Sequence, residues 1–325
     1  MKTHYFDNAS TTPVDQRVRN RMIEYLTDEG IFGNPSSNTH QFGWFASEAV
    51  EVAREEVATT IGADPREIVW TSGATESNNL AIRGTVQALA EKSCRNRIIT
   101  LGTEHKAVLD TCEQLTGIDL VVLDPKPDGQ INWEALDNVL NEKTLIVSVM
   151  LVNNETGVVQ EIQEIAKRAH GVGALMHTDL AQSVGKMPVD VTELAVDLGS
   201  LSAHKAHGPK GIGALYVRRS PDVVIAEQQH GGYHERGMRS GTLPTHQIVG
   251  MGEAYRLVRD EMISDLDRIA EYRVRLEATL ASLGNISING FGVPHILNAS
   301  FHGLSAEPLI SAMPRIAVSN GSACN

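Results

Sequence analysis

Short runs of β-branched and apolar residues recur along the chain: "EIVWT" (67–71), "RIITL" (97–101), "DLVVL" (119–123), "TLIVSVM" (144–150), "GALMHTD" (173–179), "VDLGSLS" (196–202) and "GIGALYV" (211–217). Between most of them the apolar positions take helical period. Ala46, Ala49, Val50, Ala53, Val57 and Ile61 fall on one face in this way. Strand alternating with helix predicts an α/β fold built on a mostly parallel, doubly wound sheet. After about residue 260 the pattern changes. A long helix carries Leu266, Ile269, Leu276, Leu280 and Leu283 as its apolar stripe, followed by turn residues "NGFGVP" (289–294) and a strand-like "HILNASF" (295–301). This predicts a second, smaller α+β lobe. With no repeat, low-complexity segment or charge block in between, the join is expected to be a helix.

Composition narrows the class. The 325 residues are 42% hydrophobic, in short runs broken by charge, and none approaches the roughly 18 consecutive apolar residues of a membrane helix. The start, "MKTHYFDNAS", has no apolar stretch behind its charge and is not expected to be a signal peptide; the expected location is the cytoplasm. A net charge of −12 argues against a direct nucleic-acid partner, which needs a basic face. Cys94, Cys112 and Cys324 are too few and too scattered for a disulfide framework, and no CxxC pair points to a metal. Cys94 and Cys112 are expected to be packing residues.

Chemistry is expected at the loops after the strands. "VWTSGATESNNLAI" (69–82) passes from strand through a glycine turn to helix, so backbone N–H groups and the Thr75 hydroxyl stand at the positive end of a helix, where a phosphate is favoured. The same turn with Thr75 as a plain N-cap is the competing reading. "MHTDLAQ" (176–182) puts Asp179 near the carboxyl edge of the sheet, able to hold a pyridinium proton or merely to cap a turn. In "LSAHKAHGPKGIGALYV" (201–217) Ser202 and His204 can hydrogen-bond a phosphate while Lys205 condenses with an aldehyde. Lys210, in a Pro-Gly turn, reads as a solvated or phosphate-facing residue. His105, after "RIITL", could stack on a flat ring and shuttle protons, or be an ordinary helix-start residue. Asn154 of "LVNNETG" could donate to a phenolate oxygen or cap a turn. "GPKGIG" (208–213) precedes a strand and lacks the GxGxxG order, so it is no dinucleotide fingerprint.

The sequence resembles the cysteine desulfurases of the IscS/NifS type, fold-type-I pyridoxal phosphate (PLP) enzymes of the class-V aminotransferase family. The resemblance lies in "FDNASTTP" (6–13), "FGNPSSNTH" (32–40), "TSGATESNN" (71–79), "TEHKAVL" (103–109), "VNNETGVVQ" (152–160), "HTDLAQSVGK" (177–186), "SAHKAHGPKGIGALYVRR" (202–219), "HERGMRSGTLPTHQIVGMGEAYR" (234–256) and "VSNGSAC" (318–324), which cover nearly the whole chain. It implies that Lys205 joins the cofactor covalently. Ala74, Thr75, Ser202, Ala203 and His204 would lie around the phosphate, with Thr242 reaching it from the partner of a homodimer. His105 would stack on the ring, Asp179 would pair with the ring nitrogen, and Asn154 and Gln182 would flank the phenolic oxygen. Cys324, on a mobile loop, would take sulfur from L-cysteine as a persulfide and leave L-alanine. The acceptors implied are iron–sulfur scaffolds and sulfur carriers for cluster assembly or tRNA thiolation, with Cys324 a transient cluster ligand and no resident metal. The expected division is a large domain over 16–259, and a small one from 1–15 and 260–325 that carries the cysteine loop.

Some positions depart from the family pattern. The sequence ends at Asn325, one residue after Cys324, so no position inherits the family's carboxylate-binding arginine; a fragment or a short natural form is expected, with the small lobe incomplete and apolar surface exposed. Leu180 stands where alanine is common, and Tyr233 in a run that is usually glycine. The alternatives are another PLP aminotransferase or lyase, which Cys324 in its motif argues against, and a weakly active chain serving as a dimerisation or docking partner.

Overall fold

All seven β-branched runs pair into one sheet. The computed structural model describes residues 3–89 and 94–321. In chain order its elements are β1 (His4–Tyr5), α1 (Gln16–Ile23), α2 (Gln41–Thr60), β2 (Ile68–Thr71), α3 (Ala74–Leu89), β3 (Arg97–Leu101), α4 (Lys106–Glu113), β4 (Asp119–Leu123), α5 (Trp133–Val139), β5 (Thr144–Ser148), α6 (Ile162–Gly171), β6 (Leu175–Asp179), β7 (Leu198–Ser202), β8 (Gly213–Val217), α7 (Thr245–Ser282), β9 (Ile286–Asn289), β10 (Asn298–Phe301), α8 (Ala306–Ser311) and β11 (Ile316–Ala317). Among the described residues the main sheet has seven strands in the order β2-β8-β7-β6-β5-β3-β4. The strands from β4 across to β7 are parallel, while β8 runs antiparallel to both β7 and β2. The reason lies in the connection: residues 203–212 contain no α-helix, and without a crossover the chain can only turn back on itself. Two reversals leave β2 pointing the same way as β7.

Period-two alternation sorts the side chains between two cores. Val69, Ile98, Ile146, Leu198 and Leu215 pack with Leu80 and Ile82 of α3 and Val108 of α4. Their neighbours Trp70, Ile99, Val147 and Tyr216 face the opposite way, toward Val57 of α2, Ile165 of α6 and Met251 of α7. With both faces covered, β5, β6, β7 and β8 are buried at every residue, which is why their sequences read as continuous apolar runs. The edge strand β4 is mostly half-exposed. Every residue of the α2 stripe is buried, each Val or Ile contributing about 1.5–3 kcal/mol of burial. Beyond it α7 passes so close that a Cβ on Gly252 would lie 2.7 Å from Ala53 Cα.

α7 is one 38-residue helix that runs unbroken through the boundary expected at 259/260. Its buried residues end at Leu257; of the expected stripe, Leu266, Ile269 and Leu280 are half-buried and Leu276 and Leu283 exposed. β10 covers only the second half of the expected 295–301 strand. Its antiparallel partner β9 falls in "NISING", where Asn, Ser and Gly mask the alternating Ile286 and Ile288. β1 pairs in parallel with β11, joining the start of the chain to its last described segment. Val293 and Ile296 are buried in the large core, and the Val293 N–H donates to Gly157 O at 2.9 Å, fastening the segment between β9 and β10 beside the carboxyl edge of β5.

Candidate functional site

Because β2, β3, β5, β6 and β7 share a direction, the loops after them gather at one edge, the place where open α/β sheets bind ligands. There they enclose a cavity of about 410 Å³ with the N-terminal segment around Ser10 and Thr11 and with Ser319 and Gly321, which follow β11.

The loop after β2 contributes an anion cradle. Gly73 has φ 151, a conformation that favours glycine, and a Cβ there would stand in open space. Helix α3 then starts at Ala74, so Thr75 lies inside the helix and is not its N-cap. The first N–H groups of a helix have no partner within it; here those of a 16-residue helix open on the cavity that Gly73, Ala74 and Thr75 line. From β7 comes Ser202, whose buried Oγ has no hydrogen-bond partner among the described residues. His204 shares a hydrogen bond of 3.1 Å with Thr11 Oγ1. Burial, then the charges of Lys205 and Lys210, push its pKa down to about 4, so it is a neutral ring at pH 7.

Across the cavity Asp179 ends β6. Only 8% exposed, it accepts from Asn78 Nδ2 at 2.8 Å and from the Ala181 N–H at 2.9 Å, which makes it neither a surface acid nor a free cap. Lys205 forms part of the wall with Ser202 and His204. Lys210, exposed, sits at the rim of the same cavity. His105 is the helix-start residue of one reading, the N-cap of α4, its Nδ1 accepting from the Ala107 N–H at 3.1 Å, and it also lines the cavity. In its neutral form the proton therefore lies on Nε2. Burial lowers its pKa against the opposing pull of Asp179. In the loop after β5 it is Asn153, not Asn154, that holds the turn, its Oδ1 accepting from the N–H groups of Glu155 and Thr156; Asn154 lines the cavity.

Gln182 is a wall residue whose amide is engaged at both ends. Nε2 donates to Ala9 O at 2.7 Å and Oε1 accepts from Lys186 Nζ at 3.1 Å. Two expected residues lie elsewhere. Ala203 is fully buried beneath the loop, its N–H donating to Ile212 O at 3.3 Å. Thr242 is exposed and does not line the cavity of its own chain. Cys324 lies outside the described residues; Ser319 and Gly321, just before it in sequence, line the cavity. Of the other thiols Cys112 is buried, which pushes its pKa up to about 12. Cys94 is exposed, contrary to the packing role expected for it.

Several wall residues carry no sequence signal of their own. Asp7, Ala9, Ser10 and Thr11 line the cavity; "DNAST" belongs to the resembling stretch 6–13, but by residue type alone it reads as turn-forming. The contact depends on Thr12, whose N–H and Oγ1 both donate to His204 O, at 2.8 and 2.9 Å. Asn78 could have been found from its spacing four residues after Ala74, on the same helix face. Glu104, beside His105, is almost fully buried; its Oε1 accepts from the Met150 N–H at 2.7 Å, and burial raises its pKa well above the carboxylate range.

An open α/β sheet whose carboxyl edge brings together a lysine, a buried aspartate and an anion cradle defines a ligand-binding enzyme of the doubly wound class. The comparisons make this specific. Residues 4–325 match the family described as aminotransferase class-V. The chain is 53% identical over 325 residues to the cysteine desulfurase IscS of Edwardsiella ictaluri, covering 98% of this chain and 80% of that protein, and 52% identical with the same coverage to the IscS of Escherichia coli O139:H28. Among solved structures, a NifS-like protein aligns with a TM-score of 0.92 at 35% identity, covering 98% of this chain and 87% of the other. SspA in complex with cysteine aligns at 0.86 and 36%, covering 99% and 90%. The chain belongs to the class-V aminotransferase family.

Proposed function

We infer that this chain is a PLP-dependent cysteine desulfurase, which takes sulfur from L-cysteine and releases L-alanine. The observation that carries the reading is the single cavity shared by Lys205, Asp179 and the α3 cradle, in a chain 53% identical to IscS proteins along 98% of its length.

The donor set fits the cofactor. The orphaned Ser202 Oγ, the open N–H groups of α3 and neutral His204 suit a phosphate, which needs donors and favours a helix start. Asp179, held between Asn78 and the Ala181 N–H, is a fixed acceptor for a protonated ring nitrogen. Lys205 would hold the aldehyde, His105 would lie against the ring, and Asn154 and Gln182 would face the phenolic oxygen. When bound, PLP supplies an electron sink that weakens the Cβ–S bond of an amino acid attached to it. The protein's part is to place groups around that bond. The His105 Nε2–H would hold a proton at the ring face, and its lowered pKa keeps the imidazole neutral at pH 7. Cys324, three residues along the chain from the wall residue Gly321, would attack the substrate sulfur as a thiolate. An S–S bond then forms as the Cβ–S bond breaks, leaving a persulfide on Cys324 and alanine.

With L-cysteine and a thiol reductant the loaded protein is expected to yield alanine and sulfide in equal amounts. Cys324→Ser should abolish sulfide release while leaving the yellow colour of the bound cofactor intact. Unchanged turnover in that variant would remove the relay role, and a protein that takes up no cofactor would favour the docking reading.

The cavity is proposed to be completed in a homodimer. A band of exposed aromatic rings, Phe32, Phe42, Trp44 and Phe45, and the exposed Thr242 support this as the surface where a second copy would sit. Iron–sulfur scaffolds and sulfur carriers are the proposed acceptors, and the cytoplasm, where thiols stay reduced, the proposed location.

A further inference from the structure

Lys186 stands one turn past Gln182, with Nζ 3.1 Å from Gln182 Oε1. An ammonium only donates, so it can meet only the carbonyl end of that amide. The Ala9 carbonyl only accepts, so the amine end must face it, at 2.7 Å. Two partners of opposite character thus fix the amide the same way round. One N–H of Nε2 is used on Ala9, and the other is left for the cavity that Gln182 lines.

The cation that fixes this amide is expensive to keep. Lys186 is half-buried, and among the described residues no carboxylate lies within ion-pair distance of it. The groups nearest it are cationic or neutral; Asp179 lines the same cavity as Gln182, and Arg273 is itself paired with Glu277. Lys205 and His204 belong to the loop after β7. His295, before β10, has both ring nitrogens buried without a partner among the described residues, and Arg273 of α7 stands near it. Burial, then the like charge of Lys205, lowers the Lys186 pKa to about 7. A desolvated amine without a counter-ion opposes folding, and the cavity is where an anion could offset it.

We propose that Lys186 is a positioning residue for the phenolic oxygen of the cofactor: it locks Gln182 with its N–H toward the cavity and sets a positive charge behind that amide. This rests on the PLP reading above. A charge there favours the anionic oxygen and disfavours a proton on the neighbouring imine nitrogen, so removing it lets the bound chromophore keep that proton to higher pH.

The test is an absorbance pH titration of the PLP-loaded protein beside thermal unfolding of the cofactor-free protein. Lys186→Met, and Lys186→Gln as a second variant that keeps a donor without charge, should raise the chromophore midpoint by about 0.5–1 pH unit. Lys186→Arg should bring it back toward wild type. Without cofactor, Lys186→Met should unfold at the same temperature as wild type or higher, because a buried charge has gone; a purely structural lysine would lower it. Normal colour with an unmoved midpoint in both uncharged variants overturns the role of Lys186 alone. Wild-type protein that never colours overturns the cofactor reading, and this proposal with it.

Discussion

Tyr233 holds φ 58 and is 82% exposed, so a bulky residue occupies a left-handed backbone position with little burial in return. Tyr233→Gly is expected to stabilise the chain by about 0.5–1 kcal/mol, the left-handed penalty less the entropy cost of glycine; urea midpoints of the two proteins measure it. The resemblance already marked this position as one where glycine is usual, and the backbone angle supplies the physical reason. Other residues were legible for the same kind of reason. Asp179 ends one strand and Lys205 closely follows another at the carboxyl edge, and strand position is written in the hydrophobic pattern. Lys186 and Glu104 were not, because a desolvated amine and a buried carboxyl look like any other charged letters until burial is known.

The helix α7 shows what an element can and cannot announce. Its apolar stripe identifies it as helical, but the buried stretch is only its first third, up to Leu257, where small residues permit close approach to α2. Gly252→Val would drive a side chain into the Ala53 backbone, 2.7 Å from the position of its Cβ, and is expected to cost about 2–3 kcal/mol. A denaturation midpoint equal to wild type would contradict this contact. Beyond Leu257 two residues of the expected stripe are exposed, Leu276 at 43% and Leu283 at 67%, so periodicity alone overstated how much of the helix is packed. In the same way β9 escaped notice, since two alternating isoleucines among turn residues make a strand only when β10 lies beside them.

Across the whole molecule the buried imidazoles govern the response to acid. Burial lowers the pKa of His177 from 6.5 to about 4, between Ser148 Oγ at 2.7 Å and Ser200 Oγ at 3.0 Å. The unfolded chain therefore binds a proton in that window that the folded chain refuses, so stability is intact above the ordinary histidine pKa and is lost as pH falls toward 4. His177 alone accounts for up to about 1.4 kcal/mol per pH unit. In the cofactor-free protein His204, at about 4, and His295, at about 3, act in the same direction. In a Glu104→Gln background, which removes the opposing raised carboxyl, urea midpoints at about pH 7 and about pH 5 should differ accordingly, and a flat profile would contradict the burial of these rings. The sequence by itself determined the seven strands of the main sheet, the helices between them, the loops after those strands and the family, because hydrophobic period and motif order are local properties of the chain. Only the tertiary structure decided that β8 runs against its neighbours, that the N-terminal turn closes the cavity over His204, and that Lys186 orients Gln182. Those outcomes depend on which distant segments share a desolvated space, and no local pattern encodes that.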